Sequence, residues 1–296
     1  MRKNLLIIMI LSLIILTGCT TKQADNTKPT IMTTVYPVKY MTEVIVGDTM
    51  NVQSVYPNGA DIHDYELTTN DIQKVLEADY LFAISDNMEA FLPTIEESVT
   101  KDESKVQVLK IADEKLMTDQ IKDEQYHNQT DNVLENYHFW TSPKKALIMS
   151  EIIYNKLIED FPENKELYTT NYEWLEDQLK QLDEQYAAVE TNKIFYVTHD
   201  AYYWIAQDYE IDIRGVQGDD HHHEPSSKEL QEIVDTINEQ GILTVYAERD
   251  DEENKLIKTI SEQTGAEIKY LNNFELELDN EDYLAGLTNN LKEFKS

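Results

Sequence analysis

Residues 163–190 read ENKELYTTNYEWLEDQLKQLDEQYAAVE, a polar stretch without glycine or proline that begins just after Pro162. Its apolar residues Tyr168, Tyr172, Leu175, Leu179, Leu182, Tyr186 and Val189 are spaced alternately by four and three. That spacing draws one continuous stripe along an α-helix, because residues three and four apart share a face. At 1.5 Å per residue the helix would run roughly 40 Å, the length of a whole domain. A coiled-coil dimer would use the same stripe. Flanked on both sides by alternating strands and helices, the stripe reads instead as one long linker helix packed against the lobes it joins.

Upstream of the helix, strands are expected at Ile31 to Tyr36, Asn51 to Tyr56 and Asp79 to Ile84, with helices at Val38 to Val46 and Thr69 to Glu77. Downstream, strands at Ile194 to Val197, Ile211 to Val216, Ile242 to Tyr246 and Glu267 to Leu271 alternate with helices at Ala201 to Gln207, Ser226 to Glu239, Glu252 to Gln263 and Asp282 to Phe294. Alternation of this kind builds parallel sheets whose binding crevice lies beyond the carboxyl ends of the strands. The expected fold is α/β: two α/β lobes, each a mainly parallel sheet flanked by helices, joined by one long linker helix. The expected boundaries are residues 30–162 for the N-terminal lobe, 163–190 for the linker helix and 191–296 for the C-terminal lobe.

At the N-terminus, Met1-Arg2-Lys3-Asn4 places positive charge ahead of an apolar run from Leu5 to Leu16, the layout of a secretory signal. The run has about 12 residues, against the roughly 20 that a spanning helix needs. It ends in Leu16-Thr17-Gly18-Cys19, which resembles the lipobox of bacterial lipoproteins. That resemblance implies a signal peptide over residues 1–18, an acylated Cys19 and a tether over residues 19–29. Attached acyl chains would hold the protein on the extracytoplasmic face of a membrane rather than across it. Cys19 is the single cysteine, so no disulfide can form within the chain.

The 296 residues, 41% of them hydrophobic, suffice for two cores. With 57 acidic residues against 25 basic, the formal net charge is −32, and no basic patch offers a surface for nucleic acid. Three of the seven histidines stand alone, each after a strand or in a long loop: His63, His138 and His199. Three imidazoles and one carboxylate would satisfy the tetrahedral preference of zinc. No His-Glu-x-x-His helix and no nucleophile with a partnering base is evident, so an enzyme is not expected.

The segments around these histidines together resemble the metal-binding solute-binding proteins of ABC transporters, the zinc and manganese receptors of bacterial envelopes. The resemblance covers essentially the whole mature chain. His63 lies in Asp61-Ile62-His63-Asp64-Tyr65-Glu66, similar to the family's first ligand segment, with Leu67 where proline is usual. His138 lies in a His-x-Trp-Thr-Ser-Pro segment ending at Pro143, with Asn136-Tyr137 in place of the usual Asp-Pro. His199 lies in Thr198-His199-Asp200-Ala201, and Glu224-Pro225-Ser226 resembles the family's start of the following helix, with Ser226 as its N-cap. The resemblance implies a metal held between the lobes by His63, His138, His199 and a fourth ligand after the last strand. Glu275 is the candidate for that fourth place, with Glu277 or water as alternatives. A carboxylate at the third position would suit manganese, whereas His199 favours zinc. The implied function is an extracytoplasmic, high-affinity zinc receptor that delivers Zn2+ to an ABC permease and its ATPase. The alternatives are a receptor for Mn2+ or another divalent transition metal, or a surface adhesin. The tract His221, His222 and His223 is a candidate accessory metal site, lying apart from the acidic stretch Ile111 to Asn136, which holds only His127.

Overall fold

The computed structural model describes residues 28–101, 103–112, 116, 136–190, 192–217, 225–249 and 251–296. Cys19 and the signal peptide, the tether up to residue 27, His127 and the tract His221 to His223 lie outside the described residues.

The N-terminal lobe is built on strands β1 (Thr30–Thr33), β2 (Asn51–Ser54), β3 (Tyr80–Ala83) and β4 (Gln107–Lys110), paired in the order β2-β1-β3-β4, every pair parallel. The C-terminal lobe repeats the plan with β5 (Ile194–Val197), β6 (Asp212–Gly215), β7 (Thr244–Glu248) and β8 (Glu267–Leu271) in the order β6-β5-β7-β8. Both sheets reverse direction between their first and third strands. Helices leave to opposite faces at that point, and a crevice opens beyond the strand ends. The α/β class and the two parallel sheets are therefore as the sequence leads one to expect.

Helices α1 (Tyr36–Val46), α2 (Thr69–Glu77), α3 (Leu92–Thr100) and α4 (Pro143–Asp160) belong to the first half of the chain. The second half carries α5 (Lys165–Ala187), α6 (Tyr203–Tyr209), α7 (Ser227–Gln240), α8 (Lys255–Thr264) and α9 (Tyr283–Phe294). Thr68 and Ser226 start α2 and α7 with reciprocal capping boxes to Asp71 and Glu229. Sequence reading did not assign α3, β4 or α4. Strand β4 is a four-residue edge strand with no fully buried position, so its hydrophobic signal is weak. Helix α4 does carry a buried stripe, Ala146, Met149, Ile153 and Leu157, behind a Ser142 N-cap and Pro143, and was legible.

The 163–190 stretch forms α5, preceded by a single 3-10 turn over Pro162–Asn164. Its stripe is buried at Tyr168, Leu175, Leu179, Leu182 and Tyr186. It packs on α1 and α4 at one end and on α6 and α9 at the other, so the stripe is consumed within one chain. The Asn171 side chain donates to the Ile45 carbonyl at 3.0 Å, and Tyr186 donates to the Leu287 carbonyl at 2.8 Å, anchoring the helix on both sides. One buried cluster runs from Ile31 and Phe82 through Trp140, Leu175 and Leu179 to Trp204, Phe274 and Tyr283. The lobes thus share a core, and a core that interdigitates resists hinge opening.

Candidate metal centre

Each of the four singled-out side chains is delivered by a loop with its own local reason to be ordered. His63 sits in a turn where its backbone N–H donates to Asp61 Oδ1 at 2.8 Å and the Tyr65 N–H donates to the Asp61 carbonyl at 2.9 Å. His138 precedes a 3-10 turn, Phe139–Thr141, that leads into α4. The Thr141 hydroxyl lies 2.9 Å from the carbonyls of both His138 and Ala201, so this turn is fastened to the opposite lobe. His199 ends the extension of β5 and is followed by a 3-10 turn, Asp200–Tyr202. It is completely buried.

Glu275 comes from the loop between β8 and α9. Two consecutive Asx turns shape it: Asn272 Oδ1 accepts from the Phe274 N–H at 2.8 Å, and Asn273 Oδ1 accepts from the Glu275 N–H at 3.2 Å. Phe274 takes a left-handed backbone with φ at 64°, a conformation unusual for a bulky residue and tolerated only when the surroundings impose it. Those surroundings are an edge-on Tyr283 ring at 5.1 Å, and the Trp140 indole N–H donating to the Asn273 carbonyl at 2.7 Å.

These loops converge on one point. Glu275 Oε1 lies 3.3, 3.1 and 3.2 Å from the Nε2 atoms of His63, His138 and His199. One donor atom from each of the four residues falls within 4.8 Å of the other three. Glu277 points elsewhere, to Lys39 at 2.7 Å.

The tautomers follow from the outer contacts. Asn136 Nδ2 donates to the Asp200 carbonyl at 2.7 Å, which orients the amide so that Oδ1 accepts from the His138 backbone N–H at 3.0 Å and from His138 Nδ1–H at 3.2 Å. His138 Nε2 therefore turns a lone pair toward Glu275. On the other side, His199 Nδ1 is held against Glu248 Oε1. Sequence reading missed both Asn136 and Glu248. It ended the third strand of the C-terminal sheet at Tyr246, although an acid at the carboxyl end of a strand beside a switch point is the available signal.

Electrostatics separates the three imidazoles. Burial opposes protonation of His199, but the Glu248 carboxylate, and Glu275 after it, raise its pKa well above the ordinary value. Burial likewise acts against protonated His63, yet the hydrogen bond to Glu275, the charge of Glu275 and that of Asp61 together outweigh it and leave the pKa raised. His138 has no second carboxylate, so burial prevails and its pKa falls to about 4. Burial alone would raise Glu275, but the surrounding imidazoles hold it well below the carboxylate range. Neutral His138 facing the Glu275 carboxylate puts two lone pairs about 3 Å apart, an arrangement that only an intervening cation turns to advantage.

Comparison with known proteins matches residues 31–296 to the family described as zinc-uptake complex component A, periplasmic (ZnuA). The zinc-binding lipoprotein AdcA of Streptococcus pneumoniae is 28% identical over 312 residues, covering 100% of this chain. The chain spans 61% of the length of that relative. Among solved structures, Streptococcus pneumoniae AdcAII superposes with a TM-score of 0.77 at 26% identity, over 90% of this chain and 98% of the other. The Zn(II)-bound ZnuA-like domain of Streptococcus pneumoniae AdcA superposes with a TM-score of 0.72, also at 26% identity, over 90% and 98%.

Proposed function

This chain belongs to the ZnuA family of zinc-uptake components, and on that premise we propose that it is an extracytoplasmic zinc receptor delivering Zn2+ to an ABC importer. The observation that carries the proposal is the convergence of three ring nitrogens and one carboxylate oxygen between the two lobes. Borderline nitrogen donors in that number suit zinc better than manganese, which prefers a harder, oxygen-rich shell. The ligands are His63, His138, His199 and Glu275. Four protein donors fill a tetrahedral shell and leave no position for an activated water, which argues for carriage rather than hydrolysis. Solute-binding receptors, not enzymes, make up the family. Zinc here is cargo, and its partners are a permease and the attached ATPase.

Attachment to the membrane through acylated Cys19 completes the proposal. It rests on the sequence up to that residue, and a relative named as a lipoprotein supports it. Among the described residues no helix is long and apolar enough to cross a membrane. The function is tested by titrating the purified protein with Zn2+ and Mn2+ in competition with a chelator, alongside His63→Ala. One zinc per chain, bound more tightly than manganese and lost in the variant, is expected. Tighter manganese, or zinc binding indifferent to His63, overturns it. Mass spectrometry of the membrane-extracted protein should find a diacylated N-terminal Cys19, and an intact Met1 start would remove the anchor.

A further inference from the structure

Glu248 is the last residue of β7, on the strand that borders the switch point of the C-terminal sheet, and it is 1% exposed. One of its oxygens lies against His199 Nδ1, while Nε2 of the same ring faces Glu275 Oε1 at 3.2 Å. A fully buried imidazole is thus placed between two buried carboxylates. We propose that Glu248 is a positioning and specificity-determining residue: it turns His199 Nε2 toward the metal and, with Glu275, sets the charge of the cargo at two. The inference deepens the zinc-receptor reading and rests on it.

The argument is one of charge balance in a dry site. A buried ion is tolerated only when its charge is matched nearby. Three neutral imidazoles, Glu275 and Glu248 together carry two negative charges, which a divalent cation cancels. A monovalent cation leaves one negative charge uncompensated. The Arg249 guanidinium approaches Glu281 at 3.3 Å, and the buried Lys145 ammonium lies by Asp208 and over the Trp204 ring. A carboxylate behind a ligating histidine also fixes the ring and raises its basicity, and loss of such a partner typically costs about 10- to 100-fold in metal affinity. Asn136 plays the orienting part for His138 but brings no charge, so Glu248 is where orientation and charge coincide.

Glu248→Gln tests this, because the amide oxygen can still accept from Nδ1–H while the charge is gone. In the full chain, Zn2+ and Cu+ affinities would be measured by competition with chelators, the latter under ascorbate, with circular dichroism as a check on folding. Cys19 contributes equally to parent and variant. Zinc affinity should fall by about 10- to 100-fold, with Cu+ affinity held or increased, so that the preference for the divalent ion shrinks. Equal losses for both metals would mean a merely structural role, and an unchanged zinc affinity would mean no role at all; either overturns the inference. Glu248→Asp keeps the charge on a shorter side chain and should keep the parent's divalent preference even with weaker binding. If Glu248→Gln does not fold, loss of that preference in Glu248→Asp overturns the proposal and its retention supports it. Parallel measurement of His63→Ala separates the two levels: zinc binding that survives there refutes the site itself, whereas zinc binding lost there and indifferent to Glu248 refutes only this inference.

Discussion

Lowering the pH should expel zinc with a steepness that reports how the three imidazoles differ. A metal-bound imidazole must be neutral, so each histidine that is protonated in the metal-free protein releases one proton when zinc enters. His199, held between Glu248 and Glu275, has its pKa raised well above the ordinary imidazole value and so keeps its proton to higher pH than the other two. His63 is raised less. His138, lowered to about 4, is already neutral and releases nothing until the pH approaches that value. Zinc binding near pH 7 should therefore release more protons than three ordinary imidazoles would. For each proton released, affinity should fall by about 10-fold per unit of pH, or about 1.4 kcal/mol. The distinguishing measurement is at pH 7.5, where three ordinary imidazoles would together release only about 0.3 of a proton. Here the release should exceed that figure, because the His199 pKa is raised well above the ordinary one. Calorimetric titrations in two buffers of different ionisation enthalpy give the number directly. Release at or below that figure at pH 7.5 would refute a raised pKa for His199 between two carboxylates.

His199→Glu should move preference toward manganese by replacing an imidazole with a hard oxygen, while His199→Ala should weaken zinc without that gain; competition titrations of both against the parent decide it. Saturating zinc should raise the thermal midpoint, since a ligand at a thousandfold excess over Kd adds about 4 kcal/mol to the folded state, and deleting residues 221–223 should leave most of the shift. Gly286→Ala should destabilise the fold by about 1 to 3 kcal/mol and weaken zinc together. A Cβ at Gly286 would lie 2.4 Å from the Phe274 ring, so the loop that presents Glu275 must move; a variant with parental melting and zinc affinity would show the loop to be looser than described.

How far the sequence reveals this molecule depends on whether a residue's reason lies in its neighbours along the chain or across it. The α5 stripe is periodic, and strand β5 is a short, fully buried apolar run, so local pattern suffices for them. Strand β4 takes its place from pairing with β3, with no fully buried position to announce it. The three histidines are conspicuous because each stands alone, after a strand or in a long loop. Asn136 and Glu248 are not, because Asn and Glu are common on polar loops and their roles are defined by partners 64 and 49 residues away along the chain, Asp200 and His199.

The shared core gives these long-range partners their meaning. Trp140 reaches from the first lobe to the carbonyl of Asn273, Thr141 to Ala201, and Tyr283 back to the carbonyl of Trp140 at 2.5 Å. Each of these bonds crosses the interface beside a proposed ligand, so the lobes cannot separate there without breaking buried hydrogen bonds and leaving polar groups unsatisfied. On the proposed ligand set, selection among ions rests on donor chemistry and charge. Under the proposed function, release to an importer would come from outside the site: from a partner that prises the interface apart, or from protons that reclaim His199 and His63.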